Sequence, residues 1–93
     1  MNWFRRVFSR TPHLSIAGKN YRVRSTLYSF DTNRSAELRE FDTGQTYILE
    51  AERGEDGQFL VRHSGALVGP FASPKAAEKF IVATTWFTGD EKQ

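Results

Sequence analysis

The run Gln45–His63, QTYILEAERGEDGQFLVRH, decides the fold. Two stretches of strand-forming residues flank Gly54-Glu55-Asp56-Gly57. Asp-Gly between alternating runs is a strong hairpin signal, because primed turns need residues that tolerate positive φ. Gln45 to Arg53 alternates, with Tyr47, Leu49 and Ala51 on one side and Glu50 and Glu52 on the other. Strict alternation predicts a half-buried strand whose apolar side meets the core. Gln58 to His63 returns with Phe59 and Val61 on one side.

Upstream, the same grammar repeats. Ser35 to Phe41 reads as a strand and Asp42-Thr43-Gly44 as a tight turn. Tyr21 to Phe30 alternates, with Tyr21, Val23 and Leu27 on one face and Arg22, Arg24, Thr26, Tyr28 and Phe30 on the other. A bulge would break that parity. Asp31-Thr32-Asn33 is a turn cluster, and His13 to Ile16 a short strand ahead of the turn Ala17–Asn20. Downstream, Ser64-Gly65 turns into the strand Ala66–Phe71.

The final element is a helix. Ser73 suits an N-cap and Pro74 the first helical position, where a missing N–H costs nothing. Ala76, Ala77, Phe80, Ile81, Thr84 and Phe87 form one stripe, with Phe80 as its expected core anchor and Val82 and Trp86 as a second ridge beside it. Gly89 suits a C-cap. The expected fold is therefore α+β: an antiparallel β-meander of four to six strands with one C-terminal α-helix packed on it. It divides into a basic amphipathic segment (1–12), a single α+β domain (13–89) and a polar tail (90–93).

Composition bounds the chemistry. The 93 residues include no cysteine, which removes disulfides, thiolate metal sites and cysteine nucleophiles. Thirteen aromatic residues, if eight Phe, three Tyr and two Trp are pooled, supply core volume without staples. All 11 carboxylates lie at or after Asp31, whereas Arg5, Arg6, Arg10, Lys19, Arg22 and Arg24 precede it. The first 30 residues are thus wholly basic and the rest is net acidic, summing to +2. A segment of one sign attracts polyanions.

No Walker loop, dinucleotide fingerprint, Gly-x-Ser-x-Gly elbow or His-Glu-x-x-His is present. His13 and His63 have no ligand-like spacing. Glu50 and Glu52 share a strand face, as glycosidase carboxylates do, but the expected reading is a solvated outer face opposite Tyr47, Leu49 and Ala51. No catalysis, cofactor, metal or small-molecule substrate is expected.

The basic strand gives a second reading. Arginines contact phosphates while flat rings stack on unpaired bases. Arg5, Arg6, Arg10, Lys19, Arg22, Arg24, Tyr28 and Phe30 are the candidate nucleic-acid or anion contacts. In Asn2–Arg10, Trp3, Phe4, Val7 and Phe8 fall on one side of a helical wheel and the arginines on the other. That pattern suits a partner protein, a fold-back onto the chain's own domain, or an anionic membrane surface. With Val82 and Trp86, those four residues form the candidate protein interface.

Val68-Gly69-Pro70-Phe71-Ala72-Ser73-Pro74-Lys75-Ala76-Ala77 resembles the strand-to-helix step of SPOR-type peptidoglycan-binding domains. A similar step follows the three-stranded sheet of integrase arm-type DNA-binding domains. The resemblance implies a strand that stops at Gly69-Pro70, a core anchor at Phe71 and a helix launched by Ser73-Pro74.

The expected function is a small non-catalytic binding protein acting through protein–protein contact as a homodimer, in the cytoplasm. Nucleic-acid binding is the alternative, and peripheral membrane association through residues 2–10 a further one. Arginines standing free of carboxylates favour nucleic acid, and arginines paired to Glu37, Glu40, Glu50 or Glu52 favour protein contact.

Overall fold

The computed structural model describes residues 14–15 and 20–89. Six strands form one antiparallel sheet: β1 (Leu14–Ser15), β2 (Tyr21–Tyr28), β3 (Arg34–Phe41), β4 (Thr46–Arg53), β5 (Phe59–Val61) and β6 (Leu67–Phe71). Two helices follow, α1 (Pro74–Val82) and α2 (Thr85–Thr88). The sheet runs β1-β6-β4-β3-β2, with β5 beside the far end of β4. The expected α+β sheet-plus-helix architecture is present.

β2, β3 and β4 are successive hairpins. Gly44 (φ 93°) in the β3–β4 turn and Gly57 (φ 85°) in the β4–β5 turn take the left-handed region, Gly57 as its Asp-Gly signal predicts. The run from β5 to β6 is not a hairpin. Both strands pair antiparallel with the same edge of β4, so the chain continues in one direction. Ala51 lies opposite Val61 and Ile48 opposite Val68. Between those pairs β4 advances three residues while the other side consumes seven. Residues 63–66 are the excess, looped out as a short 3₁₀ turn at His63–Gly65. It is an enlarged bulge in one discontinuous strand.

Directly opposed residues in antiparallel strands share a face. Ile48 sits between Leu38 and Val68, while Ala36 lies opposite Leu27. Ala77, Ile81 and Phe87 from the helices close over this face, and Phe71, Phe80 and Trp86 pack at its border. The expected facing of β4 is therefore inverted. Thr46, Ile48 and Glu50 lie under the helices, and Tyr47, Leu49 and Ala51 occupy the opposite face. Ile48 selects the facing because only that parity aligns it with Leu38 and Val68. Both parities of β4 carry apolar side chains, so alternation alone does not choose.

The single expected helix is two. Thr84 is extended (φ −81°, ψ 142°) and caps α2, its Oγ1 accepting from the Phe87 N–H at 3.0 Å. The same hydroxyl donates to the Ile81 carbonyl at 3.1 Å. A buried threonine that satisfies both ends of a chain break favours the break over helix continuation. Ser73 and Gly89 (φ 74°) cap as expected, Ser73 Oγ accepting from the Ala76 N–H at 3.1 Å. Ile81 is wholly buried and Phe80 is half-buried against Phe71, ring centroids 5.0 Å apart. The core anchor of α1 is Ile81 rather than Phe80.

Candidate interaction surface

Glu50 has the least expected environment. Its carboxylate is buried and lies 2.9 Å from Arg62 Nη1 and 3.0 Å from His63 Nε2. The looped-out residues 63–66 deliver His63 to it. His63 (φ 57°) and Ser64 (φ 55°) are both left-handed, ahead of Gly65 (φ 88°). Two successive non-glycine residues in that region are strained, and their neighbours must over-determine them. The Glu50 contacts do so.

The same cluster fastens α2. The Trp86 Nε1–H donates to Glu52 Oε1 at 3.1 Å, and the Arg62 guanidinium lies 4.2 Å from the Trp86 ring centroid. Arg34 donates to the Trp86 carbonyl at 2.6 Å. Glu50 is thus spent on internal partners rather than on a solvated outer face, whereas Glu52 stays exposed while it accepts from Trp86. The described residues contain no group of three or more His, Asp and Glu able to hold a metal.

The opposite face of the sheet has a different character. No described helix covers it. Val23, Arg39 and Tyr47 form one cross-strand row, and Tyr28, Ser35, Ala51 and Val61 another. At one end Phe41 touches Tyr21 and Tyr47, with centroids 5.1 and 5.4 Å away, and Arg39 lies 4.4 Å above Tyr21. At the other end Tyr28 and Phe59 lean over Ser35 and Ala51 and meet at 6.1 Å. Arg53 lies 4.6 Å from the Phe59 ring centroid. Two arginine-stacked aromatic groups thus bracket the face. Tyr21, Val23, Tyr28 and Val61 remain 43–58% exposed.

The β2–β3 tip lies at the Tyr28 end. Ser29 Oγ accepts from the Arg34 N–H and donates to Asp31 Oδ1, while Asp31 Oδ1 also accepts from the Asn33 N–H at 2.9 Å. First the Asn33 amide and then the Ser29 hydroxyl hold the Asp31 carboxyl below its usual pKa. On this braced turn Phe30 is fully exposed.

The nucleic-acid constellation is not assembled as expected. A bulge between Val23 and Ser25 reverses the parity of β2. Arg22 lies opposite Glu40 on the helix side, and Arg24 pairs with Glu40 at 3.1 Å. Tyr28 lies on the open face and Phe30 at the tip, so the rings and arginines do not share one surface. Val82 and Trp86 do not form one ridge either, because the break at Ala83–Thr84 separates them. Val82 is exposed on α1, whereas Trp86 is covered by Arg62, Glu52 and Arg34. Trp3, Phe4, Arg5, Arg6, Val7, Phe8, Arg10 and Lys19 lie outside the described residues.

Sequence reasoning missed Glu50, Arg62 and His63 because their meeting depends on the loop-out. It missed Tyr21, Val23, Phe41 and Tyr47 as one surface because β4 was faced the other way. The signal available was the aromatic spacing of Tyr21, Phe41 and Tyr47 next to turn residues. Comparison of the chain with protein-family models, with curated proteins and with solved structures finds no match.

Proposed function

We propose that this chain is a non-catalytic protein-binding module whose contact surface is the open face of the sheet. The observation that carries this reading is the exposure of Tyr21, Val23, Tyr28 and Val61 on one face. Exposed apolar side chains at both ends of one sheet face, with the Arg39–Glu37 ion pair between them, support a contact surface. The aromatic groups supply rigid area at low entropic cost, as hot-spot residues do. A cytoplasmic location belongs to this reading and rests on the cysteine-free composition. Among the described residues no helix is long and apolar enough to cross a membrane.

Pairing of arginines supports protein over polyphosphate. Arg24, Arg39 and Arg62 each pair with a glutamate within 3.1 Å. A phosphate backbone would have to displace those carboxylates.

The test compares immobilised wild type with Val23→Asp plus Val61→Asp on the open face, and with Val82→Asp on α1 as control. The expected result is one protein retained by wild type and control and lost with the open-face variant. Retention by all three chains overturns the surface assignment. A single-stranded oligonucleotide bound with an affinity that falls ~10³-fold between 50 and 200 mM salt would establish the nucleic-acid reading instead.

A further inference from the structure

We infer that the middle of the open face is covered by the chain's own N-terminal segment, residues 2–10, which lays Trp3, Phe4, Val7 and Phe8 against it. Burial on that face calls for a cover. Phe41, Ala51 and Leu67 are 3%, 7% and 7% exposed, yet none belongs to the cluster beneath the helices. All three have open-face parity. From Ser35 to Phe41, from Tyr47 to Ala51 and from Leu67 to Gly69, no open-face residue is exposed. The exposed apolar side chains of this face, Tyr21, Val23, Tyr28 and Val61, sit on the edge strands β2 and β5. An antiparallel sheet that leaves one face to water alternates apolar and polar residues. Here Tyr47, Leu49, Ala51 and Leu67 make the second face apolar too. Tyr28 and Phe59 account for the burial of Ala51, and Tyr21 and Tyr47 flank Phe41. For Leu67 the Ile48–Val68 register, carried one step, supplies only Leu49 as its neighbour on β4, and no described helix lies above that pair.

Position and pattern select the occupant. Leu14 in β1 lies opposite Val68, so the chain ahead of it arrives beside Gly69. Gly69 packs against Tyr47, whose ring lies 3.0 Å from where a Cβ would stand. The segment therefore joins the sheet at the end that carries Tyr47, Phe41 and Tyr21. Thr11, Pro12 and His13 alone separate it from Leu14, a reach of about 13 Å when extended. Neighbouring strands are about 4.8 Å apart, so Leu67, Leu49 and Tyr47 lie within that reach of β1. Trp3, Phe4, Val7 and Phe8 share one side of a helical wheel, and Arg5, Arg6 and Arg10 take the other. A segment this short does not sustain a helix alone in water, so its pattern needs a surface. The stretches 16–19 and 90–93 do not match the face: Ile16 is the one large apolar side chain in the first, and the second reads Asp-Glu-Lys-Gln. The inference goes beyond the contact reading and does not depend on it, because a partner meets the exposed border on β2 and β5 around the covered middle.

The experiment uses the full chain with methyl-labelled leucine and valine, read by nuclear Overhauser contacts. Ring protons of Trp3, Phe4 or Phe8 should show cross-peaks to the Leu49 and Leu67 methyls and none to the Val82 methyls on α1. Val7→Asp plus Phe8→Asp should abolish those cross-peaks and shift the Leu67 methyl resonances, while the Leu38 methyls beneath the helices stay in place and report an intact fold. No contact between the segment and Leu49 or Leu67 in the wild type overturns the inference. Contacts that appear only between differently labelled chains in a mixed sample also overturn it, because the cover then comes from a second copy. If the contacts are present and partner retention ignores Val23→Asp plus Val61→Asp, the contact reading alone falls. If they are absent and retention is lost with those substitutions, this inference alone falls.

Discussion

Glu50 shows how little a single residue type reveals before its neighbours are known. On a strand it reads as a solvated acid, yet Arg62 and His63 meet it beneath the helix layer. Glu50→Ala should destabilise the chain by about 2–3 kcal/mol in urea titrations. That is below the ~3–5 kcal/mol of a fully buried broken pair, because Arg62 remains 30% exposed. Glu55→Ala, at an exposed turn, should change stability by less than ~0.5 kcal/mol. Equal effects would show that Glu50 is not an internal clamp. Asp31 gives a pH prediction of definite sign. Its native pKa is depressed, so its bonds to Asn33 and Ser29 contribute above the ordinary carboxylate range and vanish as pH falls through the depressed value. An NMR titration of the Asn33 amide should have its midpoint below the ordinary aspartate value of about 3.9. A midpoint at or above that value would contradict the turn geometry. Asp31 in a turn was legible from Asp-Thr-Asn, but the bond to Ser29 was not, since it depends on where β2 ends.

At the scale of elements, hairpins and caps were the legible part. Asp-Gly, Ser-Pro and the late Gly89 act through local backbone preference, which neighbours in space rarely override. Gly57→Val should cost ~1 kcal/mol or more by forcing a β-branched residue to φ near 85°. No side-chain clash contributes, because a Cβ there meets nothing within 4 Å. A melting temperature unchanged by the substitution would contradict a strained site. Facing and continuity were illegible for identifiable reasons. β4 is apolar on both parities, the β2 bulge shifts a register without a glycine to announce it, and Thr84 breaks a helix by bonding in both directions. The helix stripe itself was legible, but its anchor was not. Ile81→Ala should cost ~2–5 kcal/mol and Phe80→Ala less, since Phe80 retains solvent contact. The reverse order in chemical denaturation would return the anchor to Phe80.

For the whole molecule, the helix-covered face and the open face assign opposite roles to residues that look alike in sequence. Trp86 and Tyr28 are both large aromatics, yet Trp86 is partly buried and held by Glu52, Arg34 and Arg62, whereas Tyr28 stands at the surface. Trp86→Ala should therefore lower the melting temperature without changing the sedimentation coefficient at micromolar concentration. A dimer that dissociates on this substitution would restore Val82 and Trp86 as an interface. The resemblance around Val68–Ala77 describes a strand-to-helix step that the fold does contain. It carries no function, because the step is a general solution to stopping a strand and starting a helix. One pairing stands apart from the nearest-neighbour pattern. Leu14 in β1 meets Val68 in β6, across 54 positions of chain. β2, β3 and β4 can pair as soon as each emerges during synthesis, but β1 must wait for a partner made long after it. At synthesis rates of ~5–20 residues per second that interval is roughly 3–10 s. For that time the earliest of the described strands has no place in the sheet, and its closure must wait until β6 has been made.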